Sequence, residues 1–178
     1  YIIALGNLAG HVTSGTNKTI MIGRNAGHHS FNLRQSVFIG HHAGFSASGR
    51  DSITDSFANN DIFIGTKAGE LVAESQGNNI ILGHNAGRRA FNPFTSVIAG
   101  EFAADFAAHV GDSVVLGEQA AMDAHIVNQS VVVGPHAAQE ASGIVLDVNI
   151  GPHAGYRAEN STNNIAIGTL AGYQRDDG

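Results

Sequence analysis

The stretch Asn163-Asn164-Ile165-Ala166-Ile167-Gly168-Thr169-Leu170-Ala171-Gly172 has a near copy in Asn59-Asn60-Asp61-Ile62-Phe63-Ile64-Gly65-Thr66-Lys67-Ala68-Gly69, and its core, Ile-Gly-x-x-Ala-Gly, returns along the whole chain. The first glycine of the motif stands at Gly6, Gly23, Gly40, Gly65, Gly83, Gly100, Gly117, Gly134, Gly151 and Gly168. Seven of the nine intervals are 17 residues. One is 18, and one is 25, where the insertion between Phe45 and Asn60 reads as a surface loop. A unit this short cannot bury a hydrophobic face alone and has to stack on copies of itself.

Aligned on that glycine, the columns describe a coil. Three residues before it every repeat has a β-branched aliphatic, from Ile3 to Ile165, and the residue just before it is always apolar, from Leu5 to Ile167. Apolar residues two apart with β-branching are a strand signature. Three residues after the glycine all ten repeats have alanine, a fixed size that implies a tight space. The pairs Gly23 and Ala26, Gly40 and Ala43, Gly65 and Ala68, and Gly83 and Ala86 are therefore assigned as a structural turn. Of the 23 glycines, 17 occupy the two glycine columns of the motif, so the glycine excess is this turn repeated. The expected fold is all-β: a parallel β-solenoid or β-roll of ten coils of about 17 residues, forming one domain over residues 1–178. At about 4.8 Å per strand the rod is on the order of 50 Å long.

If the two flanking aliphatics point inward, the residue between them points outward. That column reads Ala4, Met21, Phe38, Phe63, Ile81, Ile98, Val115, Val132, Asn149 and Ala166, nine of ten apolar. A water-facing strand surface carries polar residues, and an apolar stripe along a rod marks an interaction surface. Met21, Phe38, Phe63, Ile81, Ile98, Val115 and Val132 are thus expected at a subunit interface, most simply in a homotrimer around the rod axis.

The chain carries 9 Lys and Arg against 15 Asp and Glu, leaving no basic patch for a phosphate backbone, so no nucleic-acid partner is expected. No apolar run approaches ~18 residues, so membrane insertion is not expected either. Cysteine is absent, which excludes disulfides and thiolate metal sites.

The Asn-Asn-Ile-x-Ile-Gly-x-x-Ala-Gly pattern quoted above resembles the repeat arrays of bacteriophage tail fibres and the head domains of trimeric autotransporter adhesins. The resemblance extends over essentially the whole chain. It implies a trimeric fibre segment located on the virion, a stiff spacer that also touches a host-surface glycan or protein. Its alternative is an adhesin head on a bacterial cell surface. Adhesin heads close the motif on alanine and repeat at a shorter period, so the Ala-Gly ending favours the fibre. A chain that begins and ends inside the repeat is expected to be part of a longer fibre polypeptide. The hexad also resembles that of trimeric left-handed β-helix acyltransferases. Three hexads per coil would place an aliphatic six residues after Ile22, Ile39 and their equivalents, where this sequence has His28, Phe45, Glu70, Arg88, Asp105, Met122, Gln139, Tyr156 and Tyr173.

Ten histidines invite a metal site. His41, His42, His84, His136 and His153 fall in the turn after the glycine, and His136 and His153 share a column one coil apart with His42. The same column holds Asn25, Lys67, Asn85 and Gln119 in other repeats, so these histidines read as structural or solvated and no metal or cofactor is expected. No nucleophile elbow, metalloprotease helix or phosphate loop is present, and Asp51, Asp55, Asp105, Asp112, Asp123 and Asp147 form no repeated pair, which points away from an enzyme. Rigid scaffolds place recognition on their connections, so Phe45, Arg50, Tyr156 and Tyr173 are the candidate binding residues. Phe31 and Phe91, one column eight residues after the glycine, are expected to cap a coil corner.

Overall fold

The computed structural model describes residues 1–49 and 60–174; Arg50 and the insertion beyond it lie outside the described residues. The described chain is all-β, a parallel β-solenoid of about nine turns. One ten-stranded sheet runs its length, with rungs at Ile2–Leu5, Thr19–Ile22, Val37–Ile39, Ile62–Ile64, Ile80–Leu82, Val97–Ala99, Val114–Leu116, Val131–Val133, Val148–Ile150 and Ile165–Ile167, numbered 1 to 10 below. Neighbouring rungs pair in parallel with every motif column in register, Val131 on Val114 and on Val148, for example. A second sheet of Val110–Gly111, Val127–Asn128 and Ile144–Val145 forms another wall, extended by single bridges such as Phe94 to Gly111 and Val145 to Thr162.

Which column faces in is the reverse of the expectation. Met21, Phe38, Phe63, Ile81, Ile98, Val115 and Val132 have no exposed surface in the single chain. They fill the coil interior and are not available to a subunit interface. The flanking aliphatics, Val37 and Ile39 or Val131 and Val133, stand on the outer face, partly or fully exposed. The reason lies in the neighbouring columns. Side chains alternate along a strand, and four residues before the motif glycine a polar column, Thr19, Ser36, Asp61, Asn79, Ser96, Ser113, Ser130 and Asp147, is buried. That phase puts the middle residue of each rung inward too.

The buried polar column is a ladder. Ser113 donates its hydroxyl to the Gly111 carbonyl at 2.6 Å and accepts the Ser130 N–H at 3.1 Å; Ser130 donates to Asn128 O at 2.8 Å and accepts the Asp147 N–H at 3.1 Å. Each of these two hydroxyls thus satisfies a backbone group of its own coil and one of the next, which offsets the cost of burying it; Asp147 accepts the Asn164 N–H through Oδ1 at 2.7 Å and keeps Oδ2 buried without a partner among the described residues.

Core volume is balanced within several of the inner coils. Where the rung supplies Met21, Phe38 or Phe63, the second glycine column has Gly27, Gly44 or Gly69, whose added Cβ would lie 2.5 to 2.9 Å from those side chains. Where the rung supplies Ile98, Val115 or Val132, that column has Ala104, Ala121 or Ala138, all buried. Interior packing at crystal-like density requires such compensation.

The ladder carboxyl of Asp61 is pushed up to about 6 from 3.8. Burial is the cause, and the bonds from Ser75 Oγ at 2.8 Å and from Asn79 N and Nδ2 at 3.0 Å only partly offset it. With its folded value above its unfolded one, the folded chain binds more protons between these pH values, so stability falls as pH rises from about 4 to about 6. The residue contributes a swing of about 3 kcal/mol at 1.36 kcal/mol per pH unit. Asp61→Asn, which places in this position the residue type that Asn79 already supplies one coil on, is expected to remove that swing. Thermal unfolding midpoints of the two proteins at pH 4 and pH 7 check it: the variant should gain on wild type at pH 7 and lose the advantage at pH 4.

Candidate functional site

After each motif glycine the backbone alternates between right- and left-handed residues. In the second coil Asn25, Gly27 and His29 have positive φ of 58°, 63° and 58°, and the same three positions are left-handed in the other coils. The alternation sends N–H groups two ways: Ala26 N to Gly23 O and His28 N to Asn25 O within the coil, Asn25 N to Asn7 O and Gly27 N to Ala43 O across coils. Non-glycine residues pay for a left-handed backbone, and the continuous hydrogen bonding between coils holds them there. Side chains two and five residues after the glycine are thereby stacked in two columns on the wall that follows the sheet.

These columns meet in an open cleft of about 660 Å³ over the last four coils, lined by Gln119, His136, Gln139, His153, Tyr156, Leu170 and Tyr173. His136 and His153 stack at 4.7 Å with their planes 4° apart, and Tyr156 and Tyr173 stack at 5.1 Å and 7°. His153 meets the Tyr156 ring edge-on at 5.6 Å. His136 Nδ1 donates to Gln139 Oε1 at 2.8 Å, which leaves Nε2 as the acceptor. Tyr156 donates its hydroxyl to Glu140 at 3.2 Å, Arg157 donates to the same carboxylate at 2.7 Å, and the guanidinium lies 5.1 Å from the Tyr156 ring. Burial against these neighbours, with the Glu140 charge, holds the Tyr156 hydroxyl above its usual range.

The expected site residues are thus partly brought together. Tyr156, Tyr173, His136 and His153 share one cleft; Phe45 is at the other end of the rod, stacked on His42 at 4.7 Å and His28 at 5.4 Å. Phe31 and Phe91 are both exposed. Gly23, Gly40, Gly65 and Gly83 have φ of 128° to 136°, and Ala26, Ala43, Ala68 and Ala86 are fully buried beneath the corner. Gln119, Gln139 and Leu170 were missed as cleft residues, although their columns, shared with His136 and Tyr156, carried the signal.

The histidines do not converge on an ion. Parallel rings 4.7 Å apart aim their in-plane lone pairs alongside one another rather than at one point about 2.1 Å from each. His42 faces Glu70 through Nδ1 at 3.1 Å and Asn25 through Nε2 at 2.9 Å. Among the described residues no three His, Asp or Glu side chains are grouped to hold a metal. His28 and His41 are pushed below their ordinary values by burial and by neighbouring histidines, with the Arg24 and Lys67 charges adding to the effect at His41.

The cleft offers ring faces and edges, amide groups and an imidazole acceptor along a rigid track. That set suits a carbohydrate, whose C–H surface stacks on the negative face of an aromatic ring while its hydroxyls bond to amides. The chain matches no family model, and neither the curated proteins nor the solved structures include a match to it.

Proposed function

We propose that the chain is a non-enzymatic structural segment of a bacteriophage tail fibre, a stiff spacer on the virion whose lateral cleft contacts a host-surface glycan. The observation that carries this is the unbroken register of ten parallel rungs, which commits the chain to length while an aromatic cleft lies on a side wall. The cleft is shallow, so binding per site is low and is multiplied by the copies a fibre presents. The adhesin-head reading shares the rod and the cleft and differs in what the chain is attached to.

Saturation-transfer NMR against a panel of bacterial surface polysaccharides tests the glycan contact. At least one polysaccharide should give signal, and Tyr173→Ala should lower its affinity tenfold or more while leaving the fold intact, since Tyr173 is 40% exposed. No binding across the panel, or binding indifferent to Tyr173 and Tyr156, overturns the contact. Turnover of a bound glycan overturns the non-enzymatic reading.

A further inference from the structure

Among the described residues nothing covers the outer face of the long sheet. Its two columns, Ile3, Ile20, Val37, Ile62, Ile80, Val97, Val114, Val131, Val148, Ile165 and Leu5, Ile22, Ile39, Ile64, Leu82, Ala99, Leu116, Val133, Ile150, Ile167, are aliphatic at all twenty positions. Even in the middle of the rod Ile64 is 39% and Ile80 36% exposed. A face about 10 Å wide by about 48 Å long follows from strand geometry, and apolar patches of a few hundred Å² mark binding surfaces.

The rims of the face decide what covers it. One rim is the column five residues before the glycine, the other the residue just after it. Lys18 and Arg24 flank rung 2; Asp112 and Glu118 flank rung 7, and all four are exposed. Lys18, Asp112 and Glu118 make no ion pair among the described residues, and Arg24 reaches only His41 Nε2, at 2.9 Å. Two rods packed parallel at equal height, in a dimer or a trimer, would set Lys18 of one rod against Arg24 of the next, and Asp112 against Glu118, like charge on like charge. Turning the second rod end over end reverses this. With rung 2 opposite rung 7, one two-fold axis along the strand direction sets Lys18 against Asp112 on one rim and Arg24 against Glu118 on the other.

We propose that the chain forms an antiparallel dimer through this face, in the register that opposes rungs 2 and 7. The same operator places rung 1 on rung 8, 3 on 6 and 4 on 5, and repeats each charge pair twice. A second rod of identical pitch matches the ridges of all eight overlapped rungs. The overlap is about 40 Å long and about 16 Å wide with the first rim included, so roughly 1,300 Å² is covered over both copies, within the range of stable interfaces. The contact is isologous and closes at two. The proposal does not depend on the fibre reading, and it stands in place of the homotrimer that the resemblance implies.

The absence of cysteine makes the register testable. Light scattering of the 178-residue chain should give the mass of a dimer. Arg24→Cys and Glu118→Cys chains, mixed and treated with a bis-maleimide spanning about 10 Å, the separation of packed sheets, should cross-link to each other, and Arg24→Cys alone should not. Reversing rung 2 with Lys18→Asp and Arg24→Asp should weaken dimerisation at low salt at least tenfold, and adding Asp112→Lys and Glu118→Lys should restore it. A monomeric mass overturns the dimer. So does Lys18→Cys cross-linking to Arg24→Cys, the mark of parallel packing. A trimeric mass overturns it while leaving the fibre reading in place, and glycan binding is scored separately from either.

Discussion

Gly117→Ala is expected to lower the unfolding midpoint much further than Gly168→Ala, although the two glycines hold the same place in the motif. Both have φ in the left-handed region, +135° and +122°, so both substitutions incur backbone strain of about 1–3 kcal/mol. They differ in what lies above them. A Cβ on Gly117 would stand 2.5 Å from Gly134 O and 2.7 Å from Gly134 C, backbone atoms that cannot swing aside, whereas a Cβ on Gly168 would meet nothing within 4 Å. Relieving the first clash forces two coils apart where Gly134 N donates to Leu116 O at 2.8 Å, adding an overpacking cost of about 1–3 kcal/mol. Thermal and urea unfolding followed by far-UV circular dichroism compare the two variants. Equal losses would mean that backbone conformation alone, and not stacking of glycine on glycine, selects this column.

The same column explains how much of the fold could be read in advance. Seventeen-residue spacing of Gly23, Gly40 and their equivalents fixes the coil length, and the parallel in-register sheet follows because only stacking can bury so short a unit. The facing of the strand was not legible from the aliphatics alone, since all three positions of a rung are apolar. The deciding evidence was the polar column of Ser96, Ser113 and Ser130, which looks like surface in a sequence and is buried because each hydroxyl bonds to two coils. The corner was legible as a turn but not as a run of alternating residues, because Leu8, His29 and Phe102 are not residue types that announce a left-handed backbone. For the cleft, Tyr156 and Tyr173 were visible as aromatic tips; that they join His136, His153, Gln119 and Gln139 depends on how neighbouring coils superimpose.

Facing also separates the two surfaces. The aliphatic sheet face and the aromatic cleft come from residues on opposite sides of the motif glycine, so a second rod on the sheet leaves Tyr156 and Tyr173 open to a ligand. A change in one surface is therefore expected to leave the other working.

Adjacent residues in rung 4 test the interior most directly. Phe63 is fully buried, stacked on Phe38 at 5.2 Å, and Ile64 beside it is 39% exposed on the outer face. Phe63→Asp removes a core ring, at about 3–5 kcal/mol by analogy with truncation to alanine, and leaves a carboxylate in an apolar coil, a further penalty of several kcal/mol. Ile64→Asp adds a charge to a surface. Circular dichroism and light scattering on the two variants decide the matter: Phe63→Asp should lose the β-sheet signal, and Ile64→Asp should keep it and become monomeric. A folded Phe63→Asp monomer beside an unfolded Ile64→Asp chain would mean that the rungs face the other way.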